Sequence, residues 1–184
     1  MNLNKEDIAL FFKLWFALIY SINCKHKIVP PFERPIYGND VEKTPFLVIR
    51  KELWKKPEFI DEFLAGDGAT LPDDEKAILI SWRTNFISDN FFVLKYLKKY
   101  TVFMSSGNPA KLYGVWGISD SIEVVLQQSV LPRMVETALL PFKGKIIYDS
   151  LVVVRKVSFG TEIERDFAKR YKQIKAESGI IESM

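Results

Sequence analysis

The amino-acid sequence predicts an α+β fold with N-terminal helices, a small antiparallel sheet or partly closed barrel of about five strands, and a C-terminal helix. Up to Arg83, apolar residues recur at helical intervals, whereas from Asn90 they recur as in strands. The stretch from Met134 to Val154 is a further indication, because its two apolar runs flank a Pro-Phe-Lys-Gly turn. Together these patterns place helices first and a sheet after them.

The 184 residues suit one compact unit. Within it we expect a mainly helical part over residues 1–90, an antiparallel β part over 91–158, and a closing helix and tail over 159–184.

The first helix is predicted to begin at Asn4, a favourable capping residue, and to continue through the apolar run Ile8–Ile22. That run contains Lys13 and is shorter than the roughly 20 residues that span a membrane. We therefore expect this aromatic helix to be buried, or shared between copies in a homo-oligomer, rather than inserted in a membrane.

A proline-containing connector, Lys25–Thr44, is expected to follow and to be held on the surface by its apolar side chains. Three more helices are predicted: Thr44–Lys56, capped by Thr44 and with Phe46–Ile49 as an alternative short strand, Pro57–Leu64, and Thr70–Arg83.

The predicted β part consists of short strands separated by turn residues. Its elements are Phe91–Leu94, Thr101–Met104, Leu112–Ile118, a short helix Ser121–Gln128, and the Met134–Val154 hairpin. The closing helix is expected to be capped by Thr161, with Glu164 at the capping-box position.

One cysteine and one histidine exclude an internal disulfide and a zinc site built from four such ligands. Cys24 and His26 stand two apart, so on a helix they face different ways and suit no nucleophile–base pair. We expect a small buried thiol and a solvated imidazole at a helix end, no metal, no cofactor and a reducing, cytoplasmic setting.

The charge is uneven along the chain. Residues 1–90 carry 12 Lys and Arg against 14 Asp and Glu, whereas residues 91–158 carry 9 against 4. A basic surface attracts nucleic acid, anionic lipid or an acidic protein, although an excess of this size also serves solubility. The solubility interpretation is favoured, since nucleic-acid-binding surfaces are usually more concentrated.

Lysines and tyrosines alternate at the candidate nucleic-acid surface, where ammonium groups would contact phosphates and rings would stack on bases. Its residues are Lys95, Tyr96, Lys98, Lys99 and Tyr100, with Lys143 and Lys145 as an extension. The alternative is a turn with solvated lysines and half-buried tyrosines.

Tyr148 and Asp149 form a polar pair inside an apolar strand, where Asp is disfavoured. With Glu136 on the preceding strand they are a candidate pocket for acid–base chemistry. The favoured alternative is a bulge at Asp149–Ser150 that the carboxylate stabilises locally.

Four segments carry a resemblance to other proteins: Leu53–Phe63, Phe91–Leu94, Lys98–Tyr100 and Leu140–Asp149. In these four segments the chain resembles a group of uncharacterised bacterial proteins that share an LPFKGKIIYD-like hairpin. The resemblance implies a bacterial, intracellular origin and no particular activity.

The sequence has no Gly-rich phosphate loop, no G-x-S-x-G and no H-E-x-x-H. We therefore expect a non-catalytic module that binds a macromolecule, with protein as the preferred partner. The alternatives are nucleic-acid binding through the basic β part, and ligand binding or catalysis near Asp149.

Overall fold

The computed structural model describes residues 1–38, 42–155, 157 and 159–184. It confirms the α+β class, because these residues form six helices and a six-stranded mixed sheet. The chain divides into a helical unit, Asn4–Asn85, and a barrel unit made of Met1–Leu3 and Phe86–Met184. The boundary placed at residue 90 falls inside the first strand.

The helical unit contains α1 (Lys5–His26), α2 (Lys43–Lys55), α3 (Phe59–Ala65) and α4 (Asp73–Asn85). These elements confirm the predicted helices, and the stretch Phe46–Ile49 is helical rather than a strand. Thr44 does not cap α2, because the helix begins at Lys43 after Glu42 and thus includes Thr44.

The first helix, α1, supplies much of the apolar core of its unit. The side-chain oxygen of Asn4 accepts a hydrogen bond from the Asp7 N–H at 2.8 Å, which satisfies one donor of the first turn. Trp15 is fully buried, with the rings of Trp54 and Trp82 at centroid distances of 6.1 Å and 6.3 Å. Aromatic rings of α1, α2 and α4 therefore pack together, with Trp15 of α1 buried between them.

Length and composition also make α1 the only helix of the described residues that could cross a membrane. In the structure, 61% of its most apolar window is buried inside the protein. Lys13, the charge within the apolar run, binds both carboxylate oxygens of Glu75 at 2.6 Å and 2.8 Å. Burial and an internal partner for Lys13 are features of a core helix.

Aromatic contacts hold the connector after α1 to the helices, as predicted. The Phe32 ring meets Tyr20 at 6.1 Å and Phe46 at 5.6 Å, and Tyr37 stacks on Phe12 at 4.6 Å. Residues 39–41 of this connector lie outside the described residues.

The barrel unit contains β1 (Ile87–Tyr96), β2 (Thr101–Ser105), β3 (Leu112–Trp116), α5 (Ile122–Val125), β4 (Arg133–Phe142), β5 (Lys145–Tyr148), β6 (Val153–Val154) and α6 (Thr161–Glu177). The first five strands form a ring in the order β1-β2-β3-β5-β4, because β1 also pairs with β4. All ring pairings are antiparallel except β3 with β5, where Val115 lies opposite Ile146. These pairings close the five strands into a ring, so that β1 lies between β2 and β4.

The β4–β5 hairpin is the part of the barrel that the sequence predicts most directly. Phe142 pairs with Lys145, so the turn consists of Lys143 and Gly144 alone. Their φ angles are +48° and +72°, and two positive values indicate a type I′ turn, whose twist matches that of the strands.

Side chains of the first three strands alternate between the barrel interior and its outer surface. Inside, the Phe91 ring meets Phe103 at 6.0 Å and Tyr113 at 6.1 Å. Outside is a second buried cluster, here called the outer cluster, in which side chains of β2 and β3 pack against α6. Its buried members are Val102, Met104, Leu112, Phe167 and Tyr171.

The predicted Thr161 cap of the last helix is wrong. Gly160 is the capping residue, and its carbonyl accepts the Glu164 N–H at 3.1 Å without a side-chain capping bond. Gly is accepted at this position, so the helix takes in Thr161 as its first residue.

Both ends of the barrel unit pair with β3 or with the residue directly after it. Asn2 forms a parallel bridge with Gly117, and Ile181 forms one with Tyr113. The Gly114 N–H donates to the Ile181 carbonyl at 2.9 Å, which closes part of the β3 edge that β5 leaves open.

Candidate functional site

Asp149 lies at the break between β5 and β6 and is fully buried. Pairing with β4 resumes at Val153, so residues 149–152 lie opposite only residues 137 and 138. An excess of residues on one of two paired strands is a bulge. This is the geometry expected if Asp149 has a structural role.

Thr137 on β4 is the side chain that meets Asp149. Its Oγ1 atom, which is fully buried, lies 3.1 Å from Asp149 Oδ1 and 2.9 Å from the Leu151 carbonyl oxygen. The two oxygens share the single hydrogen of this hydroxyl, and buried carboxylates require such donors. Thr137 has no signal of its own in the sequence, because a threonine in a strand is ordinary and its partner lies after the next strand.

Glu136 does not join Asp149 as a facing carboxylate. Its side chain forms an ion pair with Arg155. Adjacent residues of a strand point to opposite faces, so Glu136 and Thr137 lie on different sides of β4. The structure thus separates Glu136 from Asp149, two of the three residues of the candidate pocket.

Tyr148, the third of these residues, is buried at the end of β5. Burial raises the pKa of its phenol, and the charges of Asp120 and Asp149 raise it further. The group therefore stays protonated near neutral pH, where it is a hydrogen-bond donor rather than a base. Nor does Tyr148 line either of the two cavities described below.

Most lysines of the candidate nucleic-acid surface have partners within the barrel unit. Lys95 Nζ lies 4.5 Å from the centre of the Tyr171 ring of α6. Lys99 forms an ion pair with Glu182. Lys143 and Lys145 lie over the rings of Phe142 and Trp116, respectively, at 5.9 Å and 5.3 Å. Lys98 is exposed.

The tyrosine rings of that surface are partly covered. The Tyr100 ring lies so close to Gly114 that a Cβ there would be 2.9 Å from it. Burial raises the pKa of Tyr100 and of Tyr96; a hydrogen bond to Glu182 adds to the first and the charge of Glu123 to the second. Base stacking needs an open ring face, which this packing restricts.

The outer cluster lies on the outer face of β2 and β3, next to the lysines and tyrosines of the β1–β2 turn. Here α6 covers that face through Phe167 and Tyr171. Nucleic-acid binding by the lysines and tyrosines of the candidate surface stays a prediction. Because α6 covers the outer face of β2 and β3, that face is not open to a nucleic acid.

His26 and Cys24 are not brought together as a catalytic pair. His26 Nε2 lies 3.0 Å from Glu62 Oε2, and its ring stacks on Phe59 at 4.1 Å. The expected burial of the Cys24 thiol is wrong: the thiol is exposed, because the buried face of α1 ends at Asn23. Within the described ranges, no group of three or more His, Cys, Asp or Glu residues is placed to hold a metal ion.

Two cavities along the connector were not predicted. The larger, of about 470 Å³, lies where α1 ends and is called the α1-end cavity; the other, of about 310 Å³, lies nearer the start of α1. The α1-end cavity is lined by Tyr20, Asn23, Cys24, Lys27, Ile28, Val29, Pro30, Pro31 and Phe32. The only signal of this cavity in the sequence is the pair Pro30 and Pro31 after α1. Prolines stiffen the backbone, and a stiff connector does not follow the surface of a helix closely.

A second feature without a signal in the sequence is a set of exposed apolar side chains in the barrel unit, here called the barrel-end patch. Its members and their exposed fractions are Leu97 at 39%, Val124 at 55%, Val125 at 37% and Val130 at 80%. They belong to the β1–β2 turn and to the connection from β3 to β4.

Comparisons with protein-family models, curated proteins and solved structures each found no match.

Proposed function

We propose that this protein is a non-catalytic interaction module whose barrel unit binds an acidic surface of another protein. The barrel-end patch supports this most directly, because several exposed apolar side chains that lie close together are typical of an interaction surface. Single exposed apolar residues are common on protein surfaces and do not indicate an interface. The proposal therefore depends on the four side chains of the barrel-end patch lying close together.

Strand pairing and electrostatics favour that proximity. Val93 of β1 pairs with Arg133 of β4, which brings the end of β1 to the start of β4. The charges of Glu123 and Arg133 both act on the pKa of Tyr96, the residue before Leu97. Since Glu123 precedes Val124, its effect on Tyr96 supports a position of α5 near the β1–β2 turn.

A partner with an acidic surface suits the positive charge of the β part. Residues 91–158 carry 9 Lys and Arg against 4 Asp and Glu. Arg133 begins β4 beside the patch, and Lys98 follows Leu97 directly. Complementary charge accelerates and orients association, while apolar contacts at the centre of an interface supply most of the affinity.

A bacterial, cytoplasmic setting is part of the same proposal. The single cysteine is an exposed free thiol, which suits a reducing compartment.

The test begins with the full chain as bait and continues with a captured partner purified to homogeneity. Affinity is measured by calorimetry for the wild type, for a Val124→Asp/Val130→Asp variant, and for a Val48→Asp control, which alters an exposed valine of the helical unit. We expect about tenfold or greater loss of affinity in the patch variant only, and weaker binding at about 300 mM than at about 50 mM salt.

Three outcomes would overturn the proposal. One is equal affinity for the patch variant and the wild type. Another is wild-type self-association that the patch variant loses, which would identify a second copy as the partner. The third is salt-dependent oligonucleotide binding that Lys98→Glu/Lys99→Glu abolishes while the patch variant binds as the wild type does.

A further inference from the structure

We propose that the α1-end cavity binds a small amphiphilic carboxylate, with the hydrocarbon body in the cavity and the carboxylate beside Lys27. The cavity lies in the helical unit, so this proposal is independent of the function proposed for the barrel. Its support comes from the shape, lining and charge of the cavity.

The local backbone produces the cavity. Lys27 caps α1 in the left-handed conformation with φ at +50°, which turns the chain back toward the helix. The Asn23 side-chain oxygen then accepts the Val29 N–H at 2.9 Å and fixes the start of the connector. Pro30 and Pro31 hold the next residues extended. The space between connector and helix is therefore formed before any ligand arrives.

The size and lining suit a small apolar molecule. A volume of about 470 Å³ falls within the usual range of ligand sites, about 300–1,000 Å³. Ile28, Val29, the two prolines and Phe32 present apolar surface on the connector side. Tyr20 and Cys24 face them from α1, so the polar groups are few and lie along one wall.

The charges indicate an anionic end for that molecule. Lys27 is part of the lining. A hydrogen bond with Cys24 raises the pKa of the Tyr20 phenol, and the charge of Arg34, which lines the other cavity, lowers it. The Glu62 carboxylate is bound by Lys25 and by His26. These partners balance the negative charge of Glu62, so it offsets less of the positive charge of Lys27. An apolar chamber with a lysine in its wall matches a hydrocarbon chain that ends in a carboxylate.

Cys24 gives a direct measurement, because it is the only cysteine of the chain and its exposed thiol lies in the cavity wall. The rate of Cys24 labelling by a thiol-reactive dye is measured with increasing decanoate, and separately with decyltrimethylammonium, which has the same chain length and the opposite charge. Both are kept below their micelle concentrations. Binding is expressed as the ratio of rates with and without the amphiphile, which cancels any effect of a substitution on the thiol itself.

We expect decanoate to slow labelling in a saturable way and decyltrimethylammonium to have little effect. A Lys27→Gln variant should weaken the apparent decanoate affinity about tenfold, whereas Lys51→Gln, at an exposed lysine of α2, should leave it unchanged. Carboxyl-labelled decanoate followed by NMR gives a second readout that does not involve the thiol.

Absence of protection by decanoate, with no shift of its labelled carboxyl signal, would remove the site. Equal protection by both amphiphiles, or equal protection in wild type and Lys27→Gln, would mean apolar adsorption and would overturn the assignment of a carboxylate.

Discussion

Tyr148 links the stability of the barrel to pH through a single hydroxyl group. Its phenol is buried, and both the burial and the charges of Asp120 and Asp149 favour the protonated form. The unfolded chain has no such environment, so its phenol titrates near the ordinary value of about 10. A folded-state pKa above the unfolded value gives stability that is complete below about pH 10 and is lost as the pH rises further.

We therefore expect the free energy of unfolding of the wild type to fall from about pH 10 to about pH 12, and that of Tyr148→Phe to fall less steeply. Urea unfolding followed by tryptophan fluorescence at several alkaline pH values measures both slopes. Tyr37→Phe is the control, because this tyrosine is exposed and its replacement should leave the wild-type slope unchanged. Equal slopes for Tyr148→Phe and the wild type would refute this role.

Among the elements, α6 has the clearest structural effect, because it converts the outer face of the barrel into a second apolar core. The Phe167 ring lies 4.7 Å from Phe92 and 5.3 Å from Phe159. Such contacts add packing energy to the removal of apolar surface from water. The helix thus stabilises β1 and β2 from outside the ring.

Phe167→Ala should lower the free energy of unfolding by about 3–5 kcal/mol, the usual cost of removing a buried aromatic ring. Ile163→Ala on the exposed side of the same helix should change it by less than about 0.5 kcal/mol. Chemical denaturation of both variants tests this expectation, and similar small losses for the two would mean that α6 is not a stabilising cover.

The elements that the sequence predicts are those with local signals. The β4–β5 hairpin follows from two apolar runs around a turn that contains Gly144, and α1 follows from the Asn4 cap and an apolar run. The parallel pairing of Val115 with Ile146 has no local signal, since alternation indicates a strand but not its neighbour.

The candidate sites are harder to predict from the sequence than the helices and strands, because they too depend on contacts between distant residues. Asp149 is unusual in a strand, but its donor Thr137 lies on the preceding strand and is identified only by the register. The α1-end cavity depends on the course of the backbone after Lys27, and the exposure of Cys24 depends on where the buried face of α1 ends. These are properties of the tertiary structure.

For the molecule as a whole, β3 is the strand on which distant parts of the chain meet. Besides β2 and β5, it pairs through Tyr113 with Ile181, and Asn2 pairs with Gly117 directly after it. Residues near both ends of the 184-residue sequence therefore complete the edge of one short strand.

Removal of residues 179–184 should accelerate hydrogen exchange at the Gly114 amide about tenfold or more, because its acceptor, the Ile181 carbonyl, is lost. The Gly117 amide, which donates to the Met1 carbonyl at 3.1 Å, should remain protected and serves as the internal control. Unchanged exchange at Gly114 would contradict the pairing, and equal acceleration at both amides would indicate a general loosening instead.

The pairing of β3 also has a consequence for the order in which the protein folds during its synthesis. All residues of the helical unit have been added by Asn85, so it can fold while later residues are still being translated. β3 is made soon afterwards, but its partners β5 and Ile181 come much later. Until then the growing chain carries an unpaired strand edge, which is the kind of surface on which wrong pairing between chains begins.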